Sequence, residues 1–241
     1  VTRPGQGFVS LGTSGVLFVA TADASANPER GVHTFCHALP GTWHQMAVML
    51  SASSSLSWLA GITGAQPGEL LAGLAAGQVR ARAPLFLPYL SGERTPHADP
   101  AATASFLGLT HASGRDDLAY AVIEGVAFSF ADGLAALQEA GTRASRLLAI
   151  GGGARSDAWL QLMADALATP IDRPAGAEVG PALGAARLAL LACGLPAQRV
   201  LTQPAIAHSF EPDPAAIAAL STRLQRFRQA YAPTRALTPQ T

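Results

Sequence analysis

Between Ser145 and Ile171 the chain reads SRLLAIGGGARSDAWLQLMADALATPI, and this stretch limits the fold more tightly than any other. Leu147, Leu148, Ala149 and Ile150 form an apolar run of strand length, Gly151, Gly152 and Gly153 interrupt it, and a helical pattern opens at Ser156. Trp159, Leu160, Met163 and Leu167 then fall on one side of that helix before Pro170, as a core-packing stripe. A strand, a glycine turn and a helix N-terminus in succession let a ligand approach backbone that carries no Cβ. The first free N–H groups of the helix face such a ligand with a partial positive charge. Nucleotides are often held in this way, yet a plain strand-to-helix turn with no ligand has the same sequence.

The 241 residues suffice for one large domain or two small ones. With 49% hydrophobic and 13% charged residues the chain reads as a compact protein whose apolar runs are too short to span a bilayer, so no membrane partner is expected. Sixteen basic and sixteen acidic residues cancel, which favours neither a nucleic-acid backbone nor an anionic lipid surface as partner. Every basic residue is Arg, so a P-loop lysine and a Schiff-base lysine are both excluded. Cys36 and Cys193 are far apart with no CxxC, which argues against a disulfide framework or a zinc site and for a cytoplasmic location. No signal peptide follows Val1, and a strand begins almost at once without an initiator Met, the pattern of a fragment or a processed chain.

Phe8 to Leu11 and Val16 to Ala20 read as a β-hairpin around Gly12-Thr13-Ser14-Gly15, whose hydroxyls and N–H groups suit phosphate oxygens as well as an ordinary turn. It is not a hydrolase elbow, because Val16 stands where GxSxG needs its second glycine. Val32 to His37 and Trp43 to Met49 form a second strand pair turned at Pro40-Gly41. Its His33, His37 and His44 lack the Glu of HExxH and are expected to be ordinary sheet or loop histidines. Helices follow over Ser51 to Gly61 and Pro67 to Ala75, then strands over Pro84 to Leu90 and Ala104 to Thr110. Between those strands, Ser91 to His97 is either a substrate loop or a solvated ion pair. Asp116 is placed to cap a long helix buried along Leu118, Val122, Val126, Phe130, Leu134 and Leu137 and ended by Gly141. The small side chains of Pro181 to Cys193 predict a helix packed closely on the sheet and stopped by Gly194. Pro214 starts a last helix, capped by Asp213 and fraying beyond Ala232, along which Ile217, Leu220, Leu224, Phe227 and Tyr231 keep an amphipathic period. Early strands followed by alternating helices and strands indicate an α/β layer fold with ligand loops at the strand ends and no internal repeat.

Taken together, SLGTSGVLF (Ser10 to Phe18), HTFCHALPGTWHQMAVMLSA (His33 to Ala52), FLPYLSGERTPHADP (Phe86 to Pro100), FLGLTH with DLAYAVIEGVAF (Phe106 to Phe128), and IGGGARSDAWLQLMADAL with GPALGAARLA (Ile150 to Ala189) resemble the FGGY family of carbohydrate kinases. The match is closest to the members that phosphorylate D-xylulose, and it is to the second half of such a kinase. The resemblance implies a ribonuclease-H-like, actin-like ATPase lobe, a mixed sheet with flanking helices occupying residues 1–241, with the N-terminal lobe absent. It implies ATP bound with Mg²⁺ that is held mainly by residues outside this chain. By the same resemblance the hairpin turn contacts phosphates through Gly12 and Thr13, with Ser14 adjacent, and the second turn holds adenosine through Gly152, Gly153, Ala154 and Asp157. Ser53 and Ser57, ahead of Trp58, match nucleotide contacts of some members, which carry Gly and Gln there and often Asn at the place of Asp157. The family's catalytic Asp lies upstream of the hairpin, so no catalytic residue and no metal ligand is assigned here. ATP or ADP and, with the missing lobe, a sugar are the implied partners. An uncovered interlobe face favours a homo-dimer. The alternatives are a kinase for another sugar or polyol such as glycerol or gluconate, or a non-catalytic nucleotide-binding or interaction module.

Overall fold

The fold is taken from a computed structural model that describes residues 1–176 and 180–237. Apolar residues at every second position give β1 (Gly7–Leu11) and β2 (Gly15–Thr21) one core face each, on which Val9, Leu11, Leu17 and Val19 are fully buried. The two strands pair antiparallel, as the hairpin pattern predicts, and β4 (Trp43–Met49) and β3 (His33–Cys36) extend the sheet beyond β2. On the other side β7 (Leu147–Ile150) runs parallel to β1, β8 (Ile171–Pro174) parallel to β7, and β9 (Ile206–Phe210) antiparallel to β8. The order β3-β4-β2-β1-β7-β8-β9 makes a mixed seven-stranded sheet with flanking helices, in agreement with the expected class. A separate two-stranded ribbon is formed by β5 (Leu85–Leu87) and β6 (Ser105–Leu107).

The core face of the sheet is covered by α3 (Arg115–Glu139), which also touches β5, α1 (Ser53–Thr63), α2 (Pro67–Ala72), α4 (Asp157–Leu167) and α7 (Pro214–Leu237). Packing on so many sides buries it almost all round from Ala119 to Leu137, a wider contact than the single stripe predicted from periodicity. Its Gly125 is needed for close approach: a Cβ there would stand 2.2 Å from the Phe86 carbonyl oxygen. The cap differs from the expected one. Asp117, not Asp116, accepts the Gly114 N–H at 3.0 Å, because the helix begins two residues earlier than a cap at Asp116 would place it, at Arg115. By length and composition α3 would pass for a membrane span, contrary to the reading that no apolar run is long enough, but 89% of its most apolar window is buried inside the fold.

A second correction concerns α5 (Gly180–Ala192). The small residues predict close packing on the sheet, yet no residue of this helix is buried, and Leu183, Leu188 and Leu190 are 43%, 47% and 43% exposed. Its small side chains leave an apolar cleft of about 450 Å³, lined by Phe8, Phe18, Leu148 and Ile150 of the sheet and by Leu183, Gly184 and Leu188 of α5. The strands β8 and β9 and the short α6 (Ala197–Val200) have no sequence signal strong enough to be read; β9 is an edge strand with four exposed positions out of five. Helix α7 continues through the expected fraying point at Ala232 to Leu237, because the Tyr231 hydroxyl donates to Asp99 at 2.7 Å and Arg235 pairs with the same carboxylate. The remainder of the expected frayed tail, 238–241, lies outside the described residues. His33, His37 and His44 lie in or beside the second strand pair, β3 and β4, where Phe18 of β2 stacks on His44 at 4.4 Å and His33 on Phe35 at 5.9 Å. Burial lowers the pKa of all three.

Candidate functional site

Parallel pairing in register, Ser10 opposite Ile150, brings the ends of β1 and β7 together. The turns that follow these strands therefore adjoin. Gly151 takes φ +93°, and a Cβ there would lie 2.8 Å from the Leu11 carbonyl group and 3.2 Å from the Gly12 nitrogen, so only glycine fits this contact. A short 3₁₀ turn over Gly152–Arg155 follows, and Ser156 caps α4 by accepting the Trp159 N–H at 3.2 Å. The sequence pattern places the start of this helix at Ser156, and the structure makes that residue its cap.

The start of α1 closes the other side of the hairpin turn. The Ala52 and Ser53 N–H groups donate to the Thr13 and Gly12 carbonyls at 2.9 Å each, and the Ser53 and Ser54 hydroxyls donate to the Leu11 and Thr13 carbonyls at 3.0 and 2.8 Å. These bonds engage carbonyl oxygens of the turn and leave Thr13 and Ser14 at the surface. Gly153 is wedged in the same junction: a Cβ would stand 2.9 Å from both the Leu11 Cβ and the Ser53 Oγ. Gly152 differs from its neighbours, because a Cβ on it would meet nothing within 4 Å. The two turns and the α1 terminus thus form one backbone-lined surface on which Gly152 is the open point.

Of the residues singled out by sequence, Gly12, Thr13, Ser53 and Gly153 are brought into one junction, with Ser14 exposed at its rim. Ser57 is exposed one helical turn further along α1 and donates to the Ser53 carbonyl at 3.2 Å. Ala154 is buried, so it offers backbone only. Asp157 is paired at 2.6 Å with Arg173, a residue on the unread strand β8 that no local motif announces.

The loop Ser91 to His97 is not the solvated ion pair that was one of its two expected readings. Glu93 is 1% exposed, and its Oε1 accepts the Leu50 and Arg94 N–H groups at 2.9 and 2.8 Å, so it fastens the loop to the end of β4 and is not a solvated ion pair. His97 meets the Tyr89 hydroxyl through Nε2 at 3.1 Å and stacks on Tyr231 at 3.6 Å, with its pKa lowered by burial to about 4. Burial pushes the Glu93 carboxyl up from 4.5 to about 7, against the opposing pull of the two backbone N–H groups. The folded protein therefore holds a proton that the unfolded chain releases, so stability present below pH 4.5 is lost as pH rises to about 7. Glu93→Gln is expected to be neutral at pH 5 and to gain about 2–3 kcal/mol at pH 8, measured by urea denaturation at both values. An equal change at the two pH values would refute it.

Residues 7–193 match the family described as the FGGY family of carbohydrate kinases, C-terminal domain. The chain is 45% identical over 229 residues to the xylulose kinase of Escherichia coli (strain K12), covering 94% of this chain and 47% of that protein. It superposes with a TM-score of 0.92 on the crystal structure of a xyloylose kinase from Brucella ovis, 47% identical, over 98% of this chain and 49% of the other. On the xylulose kinase from Rhodospirillum rubrum the TM-score is 0.84 at 31% identity, over 99% of this chain and 49% of the other. The chain spans about half the length of the relatives it matches.

Proposed function

The chain belongs to the FGGY family of carbohydrate kinases, and from that premise we propose that it is the ATP-binding lobe of a kinase that transfers the γ-phosphate of ATP to D-xylulose, giving D-xylulose 5-phosphate. The observation that carries this reading is the junction of the two turns, where Gly151 touches the Leu11–Gly12 backbone and Gly152 faces open space. Such a surface admits a flat, polar ligand against backbone, and the first turn of α4 adds the positive end of a helix. The substrate assignment is supported by the xylulose kinase relatives.

Within this reading the Gly12-Thr13-Ser14 turn takes the phosphates and Gly152, Gly153 and Ala154 take the adenosine, with Ser53, Ser57 and Asp157 at the margins. Bound with the nucleotide, Mg²⁺ would offset charge on the transferred group, and no residue of this chain is assigned to hold it. Among the described residues no three His, Cys, Asp or Glu side chains converge to hold a metal. In this reading the chain's part is to fix the nucleotide, while the acceptor of the sugar proton and most sugar contacts come from the other half of such a kinase. The expected result is that the 241-residue chain binds ATP in a calorimetric titration and releases no ADP when D-xylulose is added. Absence of binding would defeat the nucleotide reading, and sugar-dependent ADP release would defeat the division of labour.

A further inference from the structure

Arg173 projects from β8 toward the glycine turn. Its Nη1 donates to Asp157 Oδ1 at 2.6 Å and lies 3.4 Å from both the Ala154 and Arg155 carbonyl oxygens. The guanidinium carbon sits 5.6 Å from the Phe210 ring centroid on β9, which steadies the group by cation–π attraction. One nitrogen therefore ties the last two carbonyls of the turn and the first turn of α4 to the sheet.

The helix itself does not need this arginine. A carboxylate in the first turn of a helix is already stabilised by the helix dipole, and the Asp157 side chain is 59% exposed. What an unpaired carboxylate at that place harms is a polyanionic ligand, since like charges oppose each other across a binding surface. The side chain of Arg173 is only 23% exposed, so its charge is fixed in place rather than free to follow solvent.

We propose that Arg173 is a positioning residue of the nucleotide site, which braces the Gly152–Arg155 turn and cancels the charge of Asp157 so that ATP can settle beside it. The inference rests on the nucleotide reading given above. Its test is the dissociation constant for ATP of the parent chain, Arg173→Met, Asp157→Asn and the double variant. Arg173→Met is expected to weaken binding about tenfold, and Asp157→Asn added to it is expected to recover most of that loss. Methionine keeps an apolar contact with Phe210. Should Arg173→Met fail to fold by thermal melting, Arg173→Lys decides, because it preserves the charge and is expected to bind within about threefold of the parent.

Unchanged affinity in Arg173→Met overturns the proposal, and so does a loss that Asp157→Asn does not relieve, which would make the arginine a brace alone. A tenfold loss in Arg173→Lys overturns it equally. If the parent chain binds no ATP, the nucleotide reading has failed and the proposal falls with it, an outcome visible before any variant is made.

Discussion

Arg223→Ala is expected to remove about 3–5 kcal/mol of folding stability, a large part of what a domain of this size has. Arg223 Nε and Nη2 each lie 2.6 Å from a different oxygen of Glu124, and the two side chains are 8% and 1% exposed. The arginine also donates to the Ala81 carbonyl at 3.0 Å, and the Tyr120 hydroxyl donates to Glu124 at 3.2 Å. Without the guanidinium, a carboxylate in the middle of α3 would be left in the core with a tyrosine as its remaining partner. The cost lies in that stranded group, more than in the net worth of the pair. Replacing both residues, Arg223→Met with Glu124→Leu, is therefore expected to fall within about 1–2 kcal/mol of the parent. Urea denaturation of the three proteins checks the pattern; a loss under 1 kcal/mol for Arg223→Ala alone would contradict it.

Arg223 lies beyond the residues that match the family, 7–193, yet it fastens α7 to the helix at the centre of that domain. Arg228 to Asp132, and Tyr231 and Arg235 to Asp99, repeat the arrangement along α7. Asp99 closes the loop begun by Glu93, through paired backbone bonds between these two residues at 2.9 and 2.8 Å. The last helix thus holds in place the loop that supports the end of β4, from which the chain runs into α1, whose start is bonded to the hairpin turn.

The local chemistry of the site was legible because it is written in consecutive residues. Glycines in a turn, alternation in β1, β2 and β4, and the period of α4 each depend on a few neighbours along the chain. Arg173 was not legible, since its partner stands sixteen residues away on another element and only the parallel register of β7 and β8 brings the two together. The burial of Glu93 was not legible for a related reason: a charged residue beside an arginine in a loop reads as solvated, and the Leu50 amide that meets its carboxyl stands 43 residues away. The error at α5 has the opposite cause. Small apolar residues permit close packing but do not supply the surface that packs, and the sheet face beneath this helix carries large rings at Phe8 and Phe18. The residue pattern placed the two turns, and the family resemblance assigned them to phosphates and adenosine. The structure adds which glycines are held by packing and which face open space.

That distinction shapes the test of the glycine turn. Gly153→Asp is a poor probe, because its Cβ would meet Leu11 and Ser53 at 2.9 Å and lost binding would be mixed with lost packing. Gly151→Ala has the same fault, with a left-handed backbone and a carbonyl 2.8 Å away, and is expected to cost about 1–3 kcal/mol of stability. Gly152→Asp avoids both, since its φ is outside the left-handed region and nothing lies within 4 Å of the added carbon. It is expected to leave stability within about 0.5 kcal/mol of the parent, as a surface substitution does. It is also expected to weaken ATP roughly 100-fold, by placing bulk and negative charge where the nucleotide approaches backbone. Gly152→Ala, which adds a methyl group without charge, is expected to lie between the two. Calorimetric titration with ATP, alongside thermal melting, separates the effects. Parent-like affinity in Gly152→Asp would remove the nucleotide from this turn, even if the chain bound ATP elsewhere.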